Sequence, residues 1–278
     1  PVQARGSVAL PVRILALDQE RPWGSFMVIG TKNKRSEFRH VSISGGSELK
    51  GTINGIMSTS MLGFHRAEVN FENNIVSYSQ GEDALNIKYA KDVVVRGNNF
   101  LHTNSDAFDC DSCSGVIEEN YFETIGTGAN LHTGLGNIWG DGIDVSFAEN
   151  LEIRNNIVIG ATDKGMSIGE NSRPVVSGNK IFKSNIGIAV KDLSQATLTE
   201  NIIVGNKTGV ELYKKKTIFG PGAAELVRTV LWGNGVDVHI YDDGSRVSYG
   251  NANIIESQGG EKPNFAALLP ASLLRYIQ

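Results

Sequence analysis

Asp106, Asp109 and Asp111 fall within the seven residues SDAFDCD (105–111), and Asp141 and Asp144 recur in GDGIDVS (140–146). A third version of the pattern, GEDALNIK (81–88), carries Asp83. Clustered carboxyl groups can do three kinds of work. Two held in different protonation states act as acid and base at a glycosidic bond. Several oxygens together hold a hard cation, Ca2+ rather than zinc or copper. Or aspartates simply bond the backbone of turns. The choice depends on the elements that carry them.

Those elements repeat. ALNIK (84–88), AFDCD (107–111), GIDVS (142–146), GMSIG (165–169), GIAVK (187–191) and GVELY (209–213) each begin with Gly or Ala. In each, the second and fourth residues are apolar. Between these segments an apolar residue with Asn three later recurs as VRGN (95–98), IEEN (117–120), IRNN (153–156), VSGN (176–179) and LTEN (198–201). Both series step by 22–23 residues, apart from one longer step that an insertion around 126–140 explains. No segment shows the i, i+3, i+4, i+7 spacing of an amphipathic helix. Short strands recurring in one order without hairpin turns stack in parallel as a solenoid, each rung covering its neighbour's apolar face.

The register then follows. Leu85, Phe108, Ile143, Met166, Ile188 and Val210 form an inward ladder, with Ile87, Cys110, Val145, Ile168, Val190 and Leu212 beside it. Asn74, Asn98, Asn120, Asn156, Asn179 and Asn201 share one turn, where stacked amides bond from rung to rung. Outward rows read Asn86, Asp109, Asp144, Ser167, Ala189, Glu211 and Lys88, Asp111, Ser146, Gly169, Lys191, Tyr213. A third row, just before each strand, reads Asp83, Asp106, Asp141, Lys164, Ile186, Thr208. Two charges one rung apart, about 4.8 Å, repel by about 3 kcal/mol at an effective dielectric of about 20. A cation, a shared proton or a positioned lysine must offset that. At the strand starts Asp83, Asp106 and Asp141 also fit a turn role, whereas mid-strand Asp109 and Asp144 sit where Asp is disfavoured.

This pattern resembles the right-handed parallel β-helix of the pectate-lyase-like superfamily. The expectation is an all-β, single-stranded, right-handed parallel β-helix over 1–278 as one domain, with clear rungs over 67–213. SFMVIG (25–30), FRHVSIS (38–44), VDVHIY (236–241) and SRVSYG (245–250) look like degenerate rungs, and PASLLRYIQ (270–278) like a short helix capping the open end. Polygalacturonase-type hydrolases of this fold carry N-T-D, G-D-D, G-H-G and R-I-K motifs. The corresponding places read NSD (104–106), GDG (140–142), DKG (163–165) and AVK (189–191). Asp106, Asp141 and the substrate-binding Lys191 match; Gly142 replaces the second acid and Lys164 the histidine, so the pattern is broken. GEDALNI, SDAFDCD, GDGIDVS, DKGMSIGENS and GIAVKDLS also resemble β-helix segments that accompany spore-coat-protein-H-like kinase modules in bacterial surface proteins, which implies a secreted or cell-surface location.

On this reading Asp106, Asp109, Asp141 and Asp144 are the candidate catalytic groups. Lys164, Lys191, His132, Trp139 and Tyr213 are the candidate substrate-binding groups. His132 and Trp139 lie on the glycine-rich insertion, and Lys164 and Tyr213 are also placed for lyase or epimerase chemistry on a uronate. The candidate metal set is Asp106, Asp109, Asp111, Asp141 and Asp144, for Ca2+, with no organic cofactor. Cys110 and Cys113 read as a small buried thiol with a neighbour, or as a local disulfide. A net charge of −4, 40% hydrophobic and 20% charged residues, and no apolar run near ~18 residues exclude a disordered chain and a helical membrane span. The basic run Lys214–Lys216 reads as a solvated turn, and nothing suggests a nucleic-acid partner. Two functions fit. The first is a secreted enzyme acting on a polysaccharide, expected to be acidic, as a monomer or as a module of a larger surface protein. The second is a non-catalytic glycan-binding or structural module holding Ca2+.

Overall fold

In the computed structural model, which describes residues 1–18, 21–30, 34–126 and 139–277, the chain winds through three parallel sheets. Among the described residues these have ten, ten and nine strands, and neighbours within a sheet come from successive turns of the chain. Each full rung gives one strand to each sheet, so the architecture is the parallel β-helix expected. The sheet carrying the aspartates is the third, built from Phe26–Ile29, Ser60–His65, Asp83–Lys88, Asp106–Asp111, Ile143–Ser146, Lys164–Gly169, Ile186–Lys191, Thr208–Tyr213 and Val236–Ile240. Its register pairs Asp109 with Asn86 and Asp144, and Phe108 with Leu85 and Ile143. The regular winding runs well beyond 67–213, from Gln3–Arg5 to Ile254–Ile255.

Two ladders hold the stack. Inside, every residue of the expected inward pair of rows, from Leu85 to Leu212, is fully buried. Phe100 and Phe122 add parallel rings at 4.7 Å. At the turn, the backbone N–H of Asn74 and its Nδ2 both donate to Asn98 Oδ1, and the same two bonds recur from Asn98 to Asn120, Asn156, Asn179 and Asn201. Each amide thus satisfies a buried donor that would otherwise cost ~1–3 kcal/mol.

Strict alternation fails at the start of each third-sheet strand. Ala84 and Leu85 both point inward, as do Ala107 and Phe108. A Cβ added at Gly142 would meet Val158 Cγ1 at 2.8 Å and the Gly165 carbonyl at 2.6 Å. From Ala84 to Gly209 the first of the two is Ala or Gly, which leaves room for both, whereas Met61 takes that place on the preceding rung. The consequence is that Asp106 and Asp109, three apart, share the outward face instead of lying on opposite faces.

One open reading is decided and one expectation corrected here. Of the two readings of Cys110, the disulfide holds: it bonds Cys113, bridging Cα atoms 5.7 Å apart. The C-terminal helix forms as Phe265–Leu268 and Ala271–Tyr276, but its packing is lateral. Phe265, Leu269 and Leu273 cover Ile159, Phe182, Ile202, Val204 and Val230 on the outside of the second sheet, and Tyr276 reaches back to Glu123. That sheet turns apolar residues outward on these rungs, so its flank needs the cover more than the end does. Among the described residues, no helix is long and apolar enough to cross a membrane.

Candidate active site

Two of the three outward rows converge as acids. Carboxylate oxygens of Asp106, Asp141 and Asp144 lie within 4.8 Å of one another. The aspartates at strand starts do perform the turn role: Asp106 Oδ1 accepts the Asp141 N–H at 2.7 Å, and Asp141 Oδ1 accepts the Lys164 N–H at 2.9 Å. Asp83 accepts Thr59 Oγ1 at 2.8 Å and Asn86 Nδ2 at 3.0 Å, and the same Nδ2 donates to Asp109 Oδ2 at 2.6 Å. These bonds fix the carboxyl groups without neutralising them.

Protons and lysines offset the charge. Burial, then the neighbouring acids, hold the carboxyls of Asp106 and Asp109 well above the usual range. Burial pushes Asp83 up to about 7 and Asp141 to about 6, the latter restrained by Lys164. Lys164, itself buried, bonds both Asp163 and Asp141, reaching the two Asp141 oxygens at 3.3 and 3.4 Å. Burial works against its charge, but Asp141 and Asp163 raise its pKa overall. Lys191 lies along Gly169, where a Cβ would meet its Cε at 3.0 Å, and it donates to Ser167 Oγ at 2.7 Å. Its Nζ is 4.0 Å from Asp144 Oδ1, an oxygen with no hydrogen-bond partner among the described residues.

Of the expected site residues, Asp106, Asp141 and Asp144 come together, with Asp109 beside Asp144 on the adjacent strand. Of the five aspartates expected around a metal, those three have oxygens within 4.8 Å of one another among the described residues. Asp111 pairs with Lys88 at 2.8 Å, and Asp109 is engaged by Asn86. Lys164 and Lys191 are buried and engaged by aspartates and Ser167. Tyr213 pairs with Lys191 in register, and burial raises its pKa. Trp139 is 59% exposed, and its carbonyl accepts Ser105 Oγ at 3.0 Å, beside Asp106. His132 lies outside the described residues. Sequence reasoning missed Asp163, Ser167 and Asn86 as partners. Asp163 could have been found as the acid directly preceding the buried Lys164.

The family described as "Right handed beta helix region" matches residues 130–255, and the fold is the right-handed parallel β-helix. No curated protein matches the sequence. Among solved structures, the catalytic domain of a GH87 alpha-1,3-glucanase in complex with tetrasaccharides aligns at 13% identity and TM-score 0.45 over 87% of this chain and 59% of that one. The periplasmic alginate epimerase AlgG aligns at 16% identity and TM-score 0.46 over 81% and 62%. The chain therefore spans less than two thirds of either. An alginate lyase from Paenibacillus sp. str. FPU-7 aligns at 10% identity and TM-score 0.42, over 90% of this chain and 87% of its own.

Proposed function

We propose that the protein is a polysaccharide hydrolase working on the outward face of the third sheet. The observation that carries this is the convergence of Asp106, Asp141 and Asp144 oxygens within 4.8 Å. Burial and the neighbouring acids raise the pKa of Asp106 well above the usual range, which suits it to give a proton to the leaving oxygen. Asp144, whose buried Oδ1 faces Lys191, presents the exposed part of its carboxyl to bond the anomeric carbon as the glycosidic bond breaks. Water then releases the sugar and returns a proton to Asp106. Oxygens this close favour a covalent, retaining course, whose carboxyl groups stand about 5–5.5 Å apart, over the about 6.5–9.5 Å of an inverting pair. Asp109 supports Asp144 from the adjacent strand, and Asp141 is positioned by Lys164.

Lyase or epimerase chemistry fits less well. It needs a neutral lysine or an ionised tyrosine as base. Asp141 and Asp163 keep Lys164 charged, and burial keeps Tyr213 protonated. A second reading, a module holding Ca2+, draws on the same three carboxylates as oxygen donors, although Lys164 already occupies Asp141. The Cys110–Cys113 disulfide supports an oxidising, secreted or cell-surface location.

The test incubates the protein with a panel of neutral and uronate polysaccharides, measuring reducing ends and unsaturated-uronate absorbance, with and without Ca2+. New reducing ends that vanish in Asp144→Asn, with an unchanged melting temperature, support the hydrolase. No product on any polymer, together with a melting temperature that rises with Ca2+, supports the module instead.

A further inference from the structure

Beyond the aspartates, the corner between the second and third sheets holds a groove of about 500 Å3. Its lining comes from three successive rungs: Leu15 and Ala16, Ser44 and Gly45, then Tyr78 and Gln80. Among the described residues the lining carries no charged side chain. Tyr78 is 59% exposed, and the His102 ring of the next rung stacks on it at 5.1 Å and 16°. Tyr78 has φ +52°, which throws its side chain off the corner instead of into either sheet. The volume is that of a small-ligand site, and its walls are about evenly polar and apolar.

We propose that this groove is a binding subsite for a neutral sugar unit, and that the substrate polymer is a neutral rather than an acidic glycan. The proposal rests on the polysaccharide reading above. A pyranose has an apolar C–H face that suits the flat ring of Tyr78, and hydroxyls around its rim that suit the Ser44 hydroxyl and the Gln80 amide. A uronate would bring a carboxylate to a groove whose described walls hold no cation. At the aspartates it would meet more acid, with Lys164 and Lys191 already engaged. The proposal thus departs from the acidic substrate expected from the lysines. The groove is within reach of the same polymer. Tyr78 and Asp83 belong to one rung, with four residues between them, a span of at most about 17 Å. His102 and Asp106 stand on the next rung with three residues between them.

The test is migration of the full chain through native gels cast with barley β-glucan, xylan, glucomannan, soluble starch, alginate or polygalacturonate. The parent is expected to be retarded in at least one neutral gel and in neither uronate gel. Tyr78→Asn, which keeps a residue suited to positive φ, should bind that polymer about tenfold more weakly. Tyr78→Phe should bind like the parent, and Asp144→Asn should bind normally while losing turnover. Retardation only in uronate gels, none in any gel, or a Tyr78→Asn variant that migrates as the parent overturns the proposal. The two readings fail separately. Normal binding by Tyr78→Asn with dead Asp144→Asn sinks the groove alone, whereas active Asp144→Asn with weakened Tyr78→Asn sinks the aspartate assignment alone.

Discussion

The outer faces of the first and third sheets handle charge in opposite ways at the same rung spacing. On the first sheet Arg39, Glu72, Arg96, Glu118 and Arg154 stand in register on successive rungs. Arg39 meets Glu72 at 2.8 Å, Arg96 meets Glu72 at 3.3 Å and also bonds Glu118, and Arg154 meets Glu118 at 2.7 Å. Burial opposes the Glu118 charge, yet its two arginines hold its pKa below the usual range. On the third sheet Asp83, Asp106 and Asp141 follow one another, with Asp109 beside Asp144, and burial pushes Asp83, Asp106, Asp109 and Asp141 upward. Alternating signs make a stabilising strap. Like signs store repulsion that a fold has no structural reason to keep, which is why the third sheet is the one to test for chemistry.

The contrast breaks most visibly through activity. Asn at Asp106, Asp109, Asp141 or Asp144 should lower turnover by at least about 100-fold on any polymer the parent cleaves, as read from reducing ends, with circular dichroism unchanged. Full activity in all four variants would move the search to Trp139, His132 and Tyr213. Stability should respond in the reverse sense. Glu118→Gln leaves two arginines facing a buried neutral group and should cost ~1–3 kcal/mol in urea titration. Asp109→Asn removes like-charge repulsion and should be neutral or stabilising. If both variants lose stability equally, the distinction between the two faces fails.

The pH dependence sharpens the same comparison. With folded values of about 7 for Asp83 and about 6 for Asp141, the native state binds more protons than the unfolded chain from about pH 4 upward. These two groups therefore make stability fall as pH rises from about 4 to about 7. Glu118 acts oppositely, stabilising above its unfolded value of about 4.3 and losing that contribution as pH falls through its lowered folded value. Melting temperatures across this range should slope downward toward neutrality, and Asp83→Asn should flatten the slope. A parent that gains stability steadily up to pH 7 would contradict the raised values. The smallest effect belongs to Lys88→Ala. Its pairing with Asp111 is partly exposed at the edge of the site and should be worth under about 1 kcal/mol.

Much of this was legible because a solenoid makes sequence period and spatial neighbour the same thing. A step of 22–23 residues places Asn98 against Asn120, and the one longer step that the insertion explains places Asp109 against Asp144, before any coordinate is known, and both pairings occur. The partners of the lysines were not legible. Lys191 reads as an outward arm, but it lies down because Gly169 leaves room and Ser167 offers an oxygen. The disulfide was one of two open readings, since spacing alone does not decide whether two thiols face each other. The tail was misplaced because its amphipathic pattern says that it covers an apolar surface, not which one.

By itself, then, the sequence determined the parallel stacking, the inward and asparagine ladders and the acid rows, all consequences of local pattern repeated at a fixed step. Tertiary structure decided the rest. Small residues at the strand starts fold two neighbours inward and so bring Asp106 onto the face of Asp109. Burial sets which carboxyls keep protons and turns two lysines into counter-ions. The groove at Tyr78 gathers residues from three rungs, with Leu15 and Tyr78 far apart in sequence. Such properties depend on distance and desolvation among side chains of different rungs, quantities that come into being only once the stack closes.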